Sequence, residues 1–183
     1  MIAPGTDPAT AARVERILAS HVPAPILRFI AEAGTRLVVV TGRYDDASPA
    51  LREMGVNVDG WPSSPAGLFV VPEATLYVRN ISTMTIVHEL GHAFDLALGG
   101  GTEYLTTFDT PLRLAYAQES RFVTPYAASA VDEYFAESFR AMCEANYERS
   151  PWPDATRERL SRSLIAPIIS AIFERFASVE VAA

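Results

Sequence analysis

The chain has 183 residues, is 49% hydrophobic and carries a net charge of −7. That length supports one compact domain with a sizeable core, and an acidic balance without any Lys/Arg cluster argues against a nucleic-acid partner. No run approaches the roughly 20 uninterrupted apolar residues that span a bilayer, and the start, Met1-Ile2-Ala3-Pro4, lacks the basic and apolar regions of an export signal.

Asp7 followed by Pro8 reads as a helix start, with Val14, Ile17 and Leu18 at helical spacing until Val22-Pro23 stops the run. His21 lies at that helix end, where it suits the negative pole of the dipole. A second helix is expected from Pro25 to Ala33, ending at Gly34. The β-branched run inside Arg36 to Thr41 reads as a buried strand, and Ser48-Pro49 as the start of a short helix closing at Gly55. Gly67 to Val71 and Thr75 to Val78 read as two strands joined by a tight turn. A helix over 82–98 follows, stopped by Gly99-Gly100-Gly101. Residues 102–125 carry no clear pattern. A helix is expected over 131–148, then a break at Ser150-Pro151-Trp152-Pro153, then a last helix over 154–177 that Asp154 caps and Pro167 kinks or splits. One domain, 1–183, is expected, its N-terminal helices and sheet occupying 1–80. Cys143, the lone cysteine, excludes an internal disulfide and reads as a buried, inert thiol.

The chemistry is concentrated in His88-Glu89-Leu90-Gly91-His92. Histidines four apart on a helix project from one face and can share one Zn²⁺, while Glu89 between them is angled aside, in reach of a metal-activated water as general base. The apolar residues Ile86, Val87, Leu90, Ala93, Phe94 and Leu96 supply the rigid helix such a site needs. The competing reading is a buried helix whose histidines hydrogen-bond nearby carboxylates.

A catalytic zinc takes three protein ligands and leaves one position open. The metzincin pattern would put Gly at 95 and His at 98, where this chain has Asp95 and Leu98, so that class is excluded. Among the downstream acids, those in Asp132-Glu133-Tyr134-Phe135-Ala136-Glu137 lie on a well-formed helix, which favours the gluzincin arrangement. Glu133 and Glu137 share a face: one can bind zinc while the other accepts the free ring N–H of a ligating histidine. Asp95 also returns to the metal-facing side and is expected to support the ligands without binding the metal.

Together, His88 to Asp95 and Tyr126-x6-Glu133-Tyr134-Phe135-Ala136-Glu137-Ser138-Phe139-Arg140 resemble the catalytic domain of anthrax lethal factor and the related Pro-Pro endopeptidases. The resemblance implies a zinc endopeptidase with one Zn²⁺ per chain. His88, His92 and Glu133 would bind the metal, Glu89 would be the general base and Tyr126 would stabilise the oxyanion. It also implies a mixed sheet whose edge strand pairs with an extended peptide or protein substrate. The expected fold class is then α+β: a small mixed sheet with a β-hairpin edge against the motif helix, followed by a mainly helical C-terminal half. A monomer is the expected state. Relatives of this kind are largely secreted or delivered as toxins, so export or a host-targeted toxin role is implied, although the chain shows no signal and a cytoplasmic location stays open. A binding or regulatory module that keeps the fold without cutting is the alternative from another class; survival of Glu89 beside all three ligand candidates speaks against it.

Overall fold

The computed structural model describes residues 1–146 and 154–178. Helix α1 (Pro8–His21) starts where Asp7 accepts from the Thr10 N–H, and α2 (Ala24–Glu32) follows across Val22-Pro23. Strand β1 (Arg36–Val39) leads to two short helices, α3 (Tyr44–Ala47) and α4 (Pro49–Glu53), the second capped by Ser48. The hairpin is β2 (Gly67–Val70) and β3 (Thr75–Val78), joined through a 3-10 turn at Val71–Glu73 and a left-handed Ala74. The sheet is mixed, in the order β1-β3-β2, with β1 parallel and β2 antiparallel to the central strand.

Alternation along the strands sorts residues between two cores. Leu37, Phe69, Leu76 and Val78 join the main core, whereas Val40, Val70 and Tyr77 close a smaller one with Tyr44, Leu51 and Val58. Against the main face lies α5 (Thr83–Leu98), capped by Ser82. Nearly every residue of α5 from Thr85 to Ala97 is buried, as expected of a helix that is apolar on most sides. Phe94 is its hub, with ring contacts to Phe29 of α2 and to Phe135 and Phe139 of the partner helix described next.

After α5 come α6 (Leu105–Phe108), α7 (Thr110–Gln118) and then α8 (Val131–Met142), followed by α9 (Arg157–Leu160) and α10 (Ala166–Ala177). Helices α5 and α8 meet at backbone distance. A Cβ on Gly91 would lie 2.8 Å from the Ala136 Cα and 3.1 Å from the Ala136 carbonyl oxygen, so only glycine allows this approach.

Two expectations need correction, and one unassigned stretch gains structure. Helix α8 stops at Met142 instead of 148, because Glu144 turns left-handed (φ 48°) and Ala145 N–H bonds back to the Arg140 carbonyl, closing the helix in the Schellman manner. The last helix is split, one of the two outcomes expected, but Thr156, not Asp154, caps α9, and the break precedes Pro167, which sits in the first turn of α10. The unpatterned 102–125 stretch contains α6 and α7. The Ser150–Pro153 break and positions 147 and 148 lie outside the described residues.

Glu119 ties the end of α7 to the C-terminal helices. It accepts from Tyr134 of α8, from the Ser163 hydroxyl at 2.6 Å and from the N–H groups of Leu164 and Arg121, each also at 2.6 Å. Burial alone would raise its pKa; these hydrogen bonds outweigh burial and hold it at about 2. A carboxyl whose folded pKa is depressed adds stability above its unfolded value, and that stability is lost as pH falls through the folded value. The parent's unfolding midpoint is therefore expected to decline between pH 4.5 and about 2, and the Glu119→Gln variant to flatten that decline, as read by thermal melts. Gly91→Ala is expected to overpack the α5–α8 contact and cost about 1–3 kcal/mol in urea unfolding of metal-free protein. An unchanged midpoint would show that the two helices do not touch there.

Candidate metal centre

The two histidines of α5 and the acids of α8 face each other across the Gly91–Ala136 contact. His88 and His92 lie three residues before and one after Gly91, and Glu133 and Glu137 stand in the same relation to Ala136. These offsets share one helix face, so a single backbone contact sets both pairs opposite one another.

Glu133 Oε2 lies 3.1 Å from His88 Nε2 and 3.4 Å from His92 Nε2. One ligand atom from each of the three residues falls within 4.8 Å of the others. Glu133 Oε2 is buried and has no hydrogen-bond partner, while Oε1 accepts from the Tyr126 hydroxyl at 2.8 Å. A buried carboxylate oxygen left unpaired between two imidazole nitrogens is costly unless a cation joins the three. The donor set, two imidazoles and one carboxylate, is that of a catalytic zinc with an open position, so the residues fit the metal. Burial opposes a charge on His88, but Glu133 and Glu137 outweigh it and hold its pKa up at about 10. Burial would raise Glu133 too, yet the two imidazoles pull it well below the usual carboxylate range.

Glu137 sits behind His88. Its Oε1 is 2.8 Å from His88 Nδ1, and Arg140 Nη2 and Thr124 Oγ1 donate to its Oε2 at 2.7 and 2.5 Å. Burial works to raise this carboxyl, and His88 with Arg140 reverses that, leaving it at about 2. As a carboxylate it accepts the Nδ1 proton, so that Nε2, facing Glu133, is the nitrogen from which a metal would displace the second proton. Sequence reasoning missed Thr124 and Arg140. The spacing of Arg140, one turn after Glu137, was the available signal; nothing in the loop carrying Thr124 marked it.

Glu89 is buried beside the two histidines, and burial raises its pKa against their opposing pull. Strand β2 passes directly over it: a Cβ on Gly67 would lie 2.9 Å from Glu89 Oε1 and 2.6 Å from Thr85 Cγ2. Glu89 therefore lies between the histidine pair and β2, the edge strand of the sheet. A cleft of about 410 Å³ opens here, lined by Pro65, Gly67, Met84, His88, Glu89 and Tyr126 among others. The Tyr126 ring lies 5.6 Å from that of His88, and its phenol is pushed up by burial and by Glu133. Asp95 has a different placement from the one expected. Both its oxygens accept from Thr106, from the N–H at 3.0 Å and the hydroxyl at 2.6 Å, and burial lifts its pKa to about 6. Asp95 thus anchors the start of α6 and makes no hydrogen bond to His88 or His92.

Removing Glu137 as Glu137→Ala strips Arg140, itself buried, of its counter-charge. The expected cost is about 3–5 kcal/mol in denaturant unfolding, and smaller for Glu137→Gln, which keeps hydrogen-bonding atoms at the site.

Among the described residues no helix is long and apolar enough to cross a membrane. No family model matches the chain, and no curated protein does. Among solved structures, a Pro-Pro endopeptidase (PPEP-2) from Paenibacillus alvei aligns with 98% of this chain and 96% of its own, at TM-score 0.59 and 19% identity. The chain therefore shares the fold of that endopeptidase.

Proposed function

We propose that this chain is a zinc-dependent endopeptidase. The observation that carries the reading is the convergence of His88 Nε2, His92 Nε2 and an otherwise unpartnered Glu133 Oε2, with the buried Glu89 carboxylate alongside. The fold shared with a Pro-Pro endopeptidase supports it.

His88, His92 and Glu133 would hold a zinc ion, which would supply Lewis acidity toward the carbonyl and the attacking water. Glu89 takes the proton from the attacking water as its oxygen adds to the scissile carbonyl carbon. The same carboxyl then delivers that proton to the amine nitrogen as the C–N bond breaks, and the remaining hydroxyl proton of the new acid passes to the amine, leaving a carboxylate and an ammonium. Glu137 keeps the His88 ring in the tautomer that points a lone pair into the site. Tyr126 donates to Glu133 in the resting state and is 53% exposed, free to turn its hydroxyl toward the developing oxyanion. The substrate is an extended peptide added to the open edge of β2, its main chain bound irrespective of sequence while side chains enter the cleft.

Glu89→Gln is expected to lose cleavage of a fluorogenic peptide library by at least about 100-fold, the scale of a lost general base, while metal analysis still finds one zinc per chain. Full activity in that variant would sink the mechanism. Glu133→Ala is expected to weaken zinc binding far more than Glu137→Ala, measured by competition with a chelator; equal losses would show that Glu133 is not a ligand.

A further inference from the structure

Beyond the motif residues, the chain spends several others on placing one side chain, Tyr104. Gly99, at the end of α5, leaves no room for a side chain: a Cβ there would lie 2.0 Å from the Glu103 carbonyl oxygen, 2.7 Å from Leu105 N and 2.9 Å from the Tyr104 carbonyl carbon. The 103–105 backbone thus folds back directly onto the helix terminus. On the other side of Tyr104, Thr106 is fastened by its N–H and hydroxyl to Asp95, which is fully buried one turn beyond His92.

Held between these two pins, the Tyr104 ring lies 5.9 Å from that of His92 and 6.4 Å from that of Phe69 on the edge strand β2. His88 is flanked by Tyr126, so each histidine of the motif has one tyrosine against it. The two phenols differ in their engagement. Tyr126 donates to Glu133, whereas the hydroxyl of Tyr104, a partly buried residue, hydrogen-bonds no described residue. Packing against His92 and Phe69 would be served equally by phenylalanine. The free O–H is the part of this residue that the fold leaves unused.

We propose that Tyr104 is a substrate-positioning residue, donating its hydroxyl to a main-chain carbonyl of an extended peptide lying along β2 on the His92 side, with Gly99 and the Asp95–Thr106 pair holding it there. A peptide paired with the β2 edge would run alongside Phe69, the residue against which the Tyr104 ring packs. The proposal deepens the peptidase reading and rests on it for the identity of the ligand as a peptide main chain.

The test uses zinc-loaded Glu89→Gln protein and fluorescein-labelled randomised peptides, with binding followed by anisotropy. Adding Tyr104→Phe is expected to weaken binding about 3- to 10-fold, the scale of one hydrogen bond, with zinc content unchanged. Thr106→Val, which keeps the phenol but removes one pin, is expected to weaken binding in the same direction. It is preferred to replacement of buried Asp95, which risks the fold. With Glu89 intact, Tyr104→Phe is expected to raise KM more than it lowers kcat. Parent-like binding and KM in Tyr104→Phe would overturn the proposal and leave the peptidase reading standing if the parent cleaves. Weakened binding with no cleavage by the parent would sustain Tyr104 and sink the peptidase reading. Absence of any peptide binding would overturn the proposal.

Discussion

The contact between Gly91 and Ala136 governs this molecule. Two helices approach so closely that one side must lack a Cβ, and the residues one turn before and one position after that point form the polar centre. His88 and His92 on one helix then face Glu133 and Glu137 on the other without any loop having to place them. A site built on two packed helices inherits their rigidity, which suits chemistry that tolerates little displacement of its groups. Phe94, with Phe135 and Phe139 across the same interface, supplies the apolar packing that keeps the contact closed.

Placing so many charges between packed helices carries an electrostatic cost, and the chain offsets it in two ways. Behind His88, Glu137 is satisfied within the protein by Arg140 and Thr124. In front, Glu133 is only half satisfied: one oxygen has Tyr126 and the other has nothing but two imidazole nitrogens. The difference between the two glutamates, four residues apart on one helix, separates a carboxylate satisfied by the protein from one left open to a cation. The spacing of the acids alone does not make that distinction, because both share the face.

Helical periodicity and the glycine run made the motif helix legible, and strand alternation around Gly67 to Val78 gave the hairpin. The pairing of Glu133 and Glu137 on one face was likewise readable, because it depends only on helix geometry. What could not be read was set by non-local contacts. Helix α8 ends at a left-handed Glu144, a conformation normally signalled by glycine or asparagine, so the sequence offered no mark. Asp95 looked like a ligand support from its position after His92, yet its partner Thr106 lies in a stretch with no periodicity at all. The i,i+3 spacing of Glu137 and Arg140 was readable, but the burial of both, which makes their pairing matter, follows only once α8 docks. Helix α7, capped by Asp109 with Pro111 in its first turn, went unread because a nine-residue helix gives little amphipathic pattern.

The open edge of β2 has a consequence for solubility. A strand with unpaired main-chain groups recruits other strands, including those of a second copy of the same chain, and proteins commonly blunt such edges. Here the strand is four residues long, with Pro65 two residues before it and Pro72 two residues after. Proline donates no ladder hydrogen bond and interrupts extended pairing. An edge bracketed in this way offers a ladder of only a few residues, too short to propagate sheet from molecule to molecule. The feature that leaves room for an incoming strand thus also limits self-association.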